Sequence, residues 1–217
     1  MFKNGILVLS SSTALLHGGS MHIIMQNISK MVCNTLYVHL VSSDVALSNL
    51  HSGHAVTIPC SRRLRRYVSE FYASASSVCR PLDVRFLLDN IASDITRPTL
   101  NAKSRRFLRH DCEVILTDLH ADLHAALSTY VASEFFPPVA EGTERRTLTV
   151  RRLDGLESAK VEWESVAEPV EKSYNAVCLG GTFDRLHVGH KILLSEACLM
   201  CNFSLTVGVT DGEMNSR

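Results

Sequence analysis

The sequence predicts an α/β fold, a doubly wound parallel sheet, from two observations. Short apolar segments without polar alternation recur along the chain, which is typical of strands that are covered on both faces. Between them, apolar residues are spaced i, i+3, i+4 and i+7 from Leu64 to Phe71 and from Leu123 to Tyr130, which indicates amphipathic helices. This alternation favours a mainly parallel sheet. The predicted strands are Ile6–Leu9, Thr35–Val41, Asp83–Leu88 and Glu113–Thr117.

Composition limits the classes of partner and the cellular setting. Lys plus Arg equals Asp plus Glu at 22 each, so no global field attracts nucleic acid or an anionic membrane. Seven cysteines in a chain of 217 residues indicate free thiols in a reducing compartment, cytoplasmic or mitochondrial. No apolar run reaches the ~20 residues that span a bilayer. At most, we expect peripheral association with a mitochondrial membrane, and the oligomeric state is left open.

The chain divides by composition into three parts. Residues 1–136 form the predicted N-terminal α/β domain, and residues 137–173 are a charged linker in which Leu148–Val150 is a candidate edge strand. Residues 174–217 read as one βαβ unit, the first of a second domain. Its strands are Ala176–Leu179 and Leu205–Val209, its helix is Val188–Cys201, and Leu194, Ala197, Cys198 and Cys201 form the apolar stripe expected on its sheet.

The strongest motif begins at the end of the first of these strands. Gly180 and Gly181 leave room for backbone to turn and to approach phosphates, and Thr182 adds a hydroxyl. The helix that begins near Val188 directs its positive end to the same place. This pattern predicts a nucleotide phosphate site.

Two histidines lie in the first turn of that helix. His187 and His190 are three residues apart, so we expect them on one face, both donating ring N–H groups to phosphate, with Gly189 keeping that face low. Such a site suits nucleotidyl transfer, in which an ionised phosphate attacks a nucleoside triphosphate and needs no general base. Imidazole donors, Thr182, helix amides and Mg²⁺ would stabilise the developing charge.

Gly-Thr-Phe-Asp, which includes Phe183, followed by His-x-Gly-His resembles the cytidylyltransferase-like nucleotidylyltransferase superfamily. The doubled glycine and Lys191 are similar to archaeal-type and eukaryotic phosphopantetheine adenylyltransferases. Asn34–Leu40 and Asp83-Val84-Arg85 are similar to the N-terminal region of the bifunctional coenzyme A synthase family. The resemblance implies a Rossmann-like domain that converts ATP and 4'-phosphopantetheine to dephospho-coenzyme A and pyrophosphate. It places Thr182, His187 and His190 on the triphosphate, with His190 as the principal transition-state residue.

The resemblance also implies a domain of about five parallel strands, whereas residues 174–217 supply one βαβ unit. We therefore expect the second domain to be incomplete, its phosphopantetheine-binding residues to lie beyond Arg217, and this polypeptide alone to be inactive. Two alternatives remain open: a cytidylyltransferase that uses CTP, and a non-catalytic binding module derived from coenzyme A synthase.

The N-terminal domain is predicted to be a degenerate copy of the second one. A shift of 170 residues aligns Leu9, Leu16, His17 and Gly19 with Leu179, Leu186, His187 and Gly189. In this alignment Ser10 and Ser11 replace the two glycines, Ala14 replaces Asp184, and Ser20 replaces His190. The copy would keep the fold and lose the chemistry.

Other constellations have simpler interpretations. The second His-x-Gly-His, at 51–54, is favoured as an exposed loop, and Arg62–Arg66 as a solvated helix face. Cys198 and Cys201 have the spacing of half a zinc site, but core packing is favoured because no second pair lies nearby. His120 and His124 share a helix face, although Asp118 as a helix cap favours a structural role. No resident metal is predicted.

Overall fold

The structure of the protein is a computed structural model that describes residues 1–11, 21–42, 58–79, 81–92, 112–136, 148–156 and 173–210. The strands are β1 Phe2–Ser10, β2 Val32–Val41, β3 Ile58–Pro59, β4 Asp83–Leu87, β5 Ile91–Ala92, β6 Val114–Thr117, β7 Thr149–Arg152, β8 Tyr174–Gly181 and β9 Cys201–Val209. The helices are α1 Met21–Met31, α2 Arg62–Val78, α3 His124–Phe135 and α4 Val188–Met200, with a 3₁₀ turn at Ala121–Leu123 before α3.

Five parallel strands form the main sheet, in the order β4-β2-β1-β6-β7. The order reverses at β1, because the chain runs outward through β2 and β4 on one side and then returns to β6 on the other. The predicted doubly wound parallel sheet is confirmed. Two further parallel pairs, β3 with β5 and β8 with β9, complete the strands of the described residues.

Both faces of the main sheet are covered, which explains its continuous apolar strands. Leu7 and Leu9 of β1 face a core that includes α1 and α2, whereas Ile6 and Val8 face a second core that includes α3. Successive side chains of a strand point to opposite faces, so each buried strand supplies both cores. Helix α2 presents the predicted residues from Leu64 to Phe71 to the first core.

The four strands expected in the N-terminal part are confirmed, with small shifts of their ends. The candidate edge strand is also confirmed: β7 pairs with β6 and extends the sheet. The main sheet therefore takes a strand from the segment assigned to the linker. Most of that segment, residues 137–147 and 157–172, lies outside the described residues.

The βαβ unit consists of β8, α4 and β9, and it packs on the N-terminal part through α4, mainly against α2. Val188, Ile192 and Leu199 of α4 contact the core shared with α1 and α2. The expected stripe is wrong in part, because Cys198 is exposed and Leu199 is buried instead. Helix α4 carries apolar residues on two sides, and its sequence alone does not indicate which side packs on the core formed with α1 and α2.

None of the helices in the described ranges is long and apolar enough to cross a membrane.

Gly5 in β1 is closely flanked by valine side chains of the two neighbouring strands. A Cβ atom there would lie 2.9 Å from Val114 Cγ1 and 3.0 Å from Val32 Cγ2. We expect Gly5→Ala to lower the free energy of unfolding by about 1–3 kcal/mol through overpacking. Thermal unfolding followed by circular dichroism measures this.

The matched control is Gly208→Ala in β9, where an added Cβ would meet only ordinary contacts, 3.8 Å from the Leu179 carbonyl oxygen. We expect it to change stability by less than about 0.5 kcal/mol. Equal losses in the two variants would contradict the explanation.

Candidate functional site

The motif of residues 180–190, here called the cradle segment, lies at the carboxyl end of β8. Strand β8 ends at Gly181, and α4 begins at Val188. The end of β9 closes beside it, where Thr210 N–H donates to the Gly181 carbonyl at 3.1 Å. The carboxyl ends of two parallel strands and the positive end of a helix thus meet at one edge, the usual place for a nucleotide in such a unit.

The turn off the strand is made by Phe183 rather than by the glycines. Phe183 has a φ of 43°, whereas neither Gly180 nor Gly181 is in the left-handed region. The expectation that the glycines make the sharp turn is therefore wrong. Gly181 is needed for space, because a Cβ there would lie 3.1 Å from the Phe183 ring. A non-glycine residue in this conformation stores strain, which proteins often retain at functional sites.

His187 is the N-cap of α4. Its Nδ1 accepts a hydrogen bond from Gly189 N–H at 3.1 Å, so its ring proton is on Nε2. A Cβ at position 189 would lie 3.0 Å from the His187 ring, which gives Gly189 a specific role. While it caps the helix, His187 is neutral and offers Nε2–H as a donor.

His190 has the opposite arrangement. Its Nδ1–H donates to the Arg185 carbonyl at 3.2 Å, so the neutral ring leaves Nε2 as an acceptor. His190 can donate to a phosphate through Nε2 only when the ring is protonated. The expectation that both histidines donate alike therefore needs correction.

The two rings form one stack. The centroids of the His187 and His190 rings are 3.9 Å apart, with an interplanar angle of 29°. The Phe183 ring packs against His190, with 4.9 Å between the two centroids. Two positive rings at this distance would repel each other, and His187 accepts a hydrogen bond that only its neutral form permits. In this arrangement, a positive charge on the pair would have to be on His190.

Polar groups around the stack are open to solvent. Thr182, Asp184, Arg185 and His187 are exposed, as an incoming nucleotide requires. Asp184 Oδ1 accepts a hydrogen bond from the Arg185 N–H at 2.9 Å and shapes the loop. Across the residues whose positions are described, no group of three or more His, Cys, Asp or Glu side chains is arranged to hold a metal ion.

Lys191, the residue after the cradle segment, points away from the histidines. Its Nζ contacts Asp83 Oδ1 and donates to the Val84 carbonyl at 2.9 Å, both in β4 of the main sheet. In the sequence, Lys191 and Asp83-Val84-Arg85 are separate points of resemblance, and nothing there links them. Pairing of residues 108 positions apart leaves no local pattern in the sequence.

The strand end that the duplication hypothesis matches with the cradle segment is filled by a side chain of the protein. Ser10, at the end of β1, donates its N–H to Asp118 Oδ1 at 3.0 Å and its hydroxyl to Oδ2 at 2.6 Å, and both residues are buried. Asp118 therefore binds the end of β1. The expectation that it caps the following helix is wrong. This carboxylate occupies the strand end where the duplication hypothesis places an anion.

Both halves of the proposed duplication share strand, helix and strand order. In each half the helix runs directly into the second strand, and the parallel pair has a register shift near its start. Ala14, Leu16, His17, Gly19 and Ser20 lie outside the described residues. The duplication stays a prediction.

The competing constellations differ in outcome. His120 Nδ1 pairs with Asp122 at 2.9 Å, and no metal group includes His124 in the described ranges. Cys198 is exposed rather than packed in the core. Its thiol is still partly covered by neighbouring groups, and this desolvation, with a smaller contribution from Cys201, raises its pKa. The second His-x-Gly-His, at 51–54, lies outside the described residues.

Short stretches of the chain are similar to archaeal phosphopantetheine adenylyltransferases. The enzyme of Thermococcus gammatolerans is 49% identical over 45 residues, which are 21% of this chain and 28% of that protein. Those of Pyrococcus furiosus and Thermococcus kodakarensis are each 47% identical over 45 residues, covering 21% of this chain and 28% and 27% of theirs. The chain thus spans about a quarter of the length of these relatives. No solved structure gives a significant match.

The N-terminal part matches a family model. Residues 3–129, more than half of the chain, match the COASY N-terminal domain. These residues contain β2 to β6, all of β1 except Phe2, and the Ser10–Asp118 contact. The chain belongs to the family defined by the COASY N-terminal domain.

Proposed function

We propose that the cradle segment binds the triphosphate of ATP as part of a phosphopantetheine adenylyltransferase site. The observation that carries the proposal is the His187–His190 stack at the positive end of α4, which presents one neutral donor and one ring that can bear charge. The similarity to archaeal phosphopantetheine adenylyltransferases over 45 residues supports this substrate class.

The proposed reaction is an in-line displacement. The ionised phosphate of 4'-phosphopantetheine attacks the α-phosphorus of ATP, a new P–O bond forms, and the bond to pyrophosphate breaks. The nucleophile is already charged, so the residues need only bind, orient and stabilise charge. His187 Nε2–H, protonated His190, the Thr182 hydroxyl and the first amides of α4 supply these donors. Mg²⁺ would enter with ATP, held by its phosphates.

A non-catalytic binding module is less well supported. That alternative predicts an exposed apolar patch on residues 1–136, but in the described part of that range the exposed large apolar side chains are Met1 and Val78. The other exposed large apolar side chains of the described residues lie between positions 174 and 209, in the βαβ unit.

Nucleotide binding tests the proposal directly. We expect Mg·ATP to raise the melting temperature of the chain and to bind more tightly than Mg·CTP, by isothermal titration calorimetry. His190→Gln should weaken ATP binding by about ten-fold or more, because a charge-assisted hydrogen bond is lost. Preference for CTP would support the cytidylyltransferase alternative, and binding of neither nucleotide would overturn the proposal.

His187→Ser separates capping from ligand binding. Serine is a strong N-cap, so we expect α4 to keep its stability within about 0.5 kcal/mol. The variant should lose ATP affinity, because serine is too short to replace Nε2–H. The measurements are thermal unfolding and calorimetry on the same sample, and full ATP affinity would show that His187 only caps the helix.

A further inference from the structure

The first turn of α4 is tied to the edge of the N-terminal sheet. Lys191 Nζ contacts the Asp83 carboxylate and the Val84 carbonyl, at the start of the edge strand β4. Asp83 is itself fixed by Arg85, whose Nε donates to Oδ2 at 2.8 Å. One carboxylate therefore joins a cation of each unit.

The other end of α4 has a separate anchor. Glu196 accepts from Arg65 at 3.0 Å and from the Ser69 hydroxyl at 3.3 Å, both on α2. Early residues of α2 thus meet late residues of α4. The two ion pairs are comparably sheltered, with side-chain exposures of 24% and 34% for Lys191–Asp83 and 17% and 31% for Arg65–Glu196.

Only the Lys191 anchor lies next to the histidines. The Lys191 N–H donates to the His187 carbonyl at 3.1 Å, and Lys191 directly follows His190 in sequence. Holding Nζ on the sheet therefore limits rotation of the turn that aims both ring Nε2 atoms. The carboxylate is in its charged form near neutral pH: burial raises the pKa of Asp83, but its bonds and charge contacts with Lys191 and Arg85 lower it below its usual value.

We propose that Asp83 is a positioning residue for the cradle segment, acting through Lys191 to hold the first turn of α4 in its phosphate-binding orientation. The inference rests on the proposed function of that segment. It gives the N-terminal sheet, whose own strand end is filled by Asp118, a role in the chemistry of the second unit.

Amide hydrogen exchange without nucleotide tests the anchoring. We expect Asp83→Asn to speed exchange at the start of α4, at Lys191 and the residues after it, several-fold. Glu196→Gln, the matched control at the far end of the same interface, should speed exchange only near the end of α4. Equal effects of the two variants at the first turn, or no effect of Asp83→Asn, would overturn the proposal.

Nucleotide affinity tests the consequence. Asp83→Asn and Lys191→Met should each weaken ATP binding by roughly three- to ten-fold, the double variant no more than either alone, and Glu196→Gln by less than two-fold. Lys191→Arg keeps the cation and should restore most of the affinity. Additive losses, or an equal loss in Glu196→Gln, would reduce Asp83 to a stability role.

The hydrogen-exchange and affinity experiments together distinguish failure of the proposed function from failure of the positioning role. If the unmodified chain does not bind ATP, the proposed function fails, and the exchange experiment still decides whether Asp83 anchors the turn. If ATP binds with its full affinity in Asp83→Asn, the proposed function stands and the positioning role is wrong.

Discussion

The candidate site depends on the packing of one helix, α4, between two partners. One side of α4 contributes Val188, Ile192 and Leu199 to the core formed with α1 and α2, while the helix also connects the parallel strands β8 and β9. Its first turn carries the histidines. A shift of α4 would disturb the interface, the β8–β9 pair and the direction of the ring donors together. The site is therefore as rigid as the contact between the two units.

The chemistry of the histidine pair follows from the backbone groups that each ring meets. A helix N-cap must accept a hydrogen bond, which fixes His187 as neutral with its proton on Nε2. The Arg185 carbonyl oxygen can only accept a hydrogen bond, which places a proton of His190 on Nδ1. Two identical side chains three residues apart thus have different protonation requirements. The strained turn at Phe183 packs its ring against this pair, which is a reason for keeping an unfavourable φ.

The two strand ends that the duplication hypothesis aligns differ in what fills them. At the end of β1 a buried carboxylate, Asp118, takes the N–H and hydroxyl of Ser10. At the end of β8 the corresponding turn is exposed, and its donors face solvent. An anion at the first end would have to displace an internal carboxylate and meet its charge. The N-terminal sheet serves the second unit through a different edge, where Asp83 holds Lys191.

The fold class, the principal strands and the place of the cradle segment between a strand and a helix were all predictable from the sequence, because buried strands, amphipathic helices and glycine-rich turns leave short-range patterns. The sequence also predicted the edge strand β7. The tertiary structure alone decided which side of α4 is buried, that Phe183 makes the turn, how each imidazole is protonated, and that Lys191 reaches Asp83. Those features depend on backbone conformation or on contacts between residues about a hundred positions apart, and neither leaves a periodic signal in the chain.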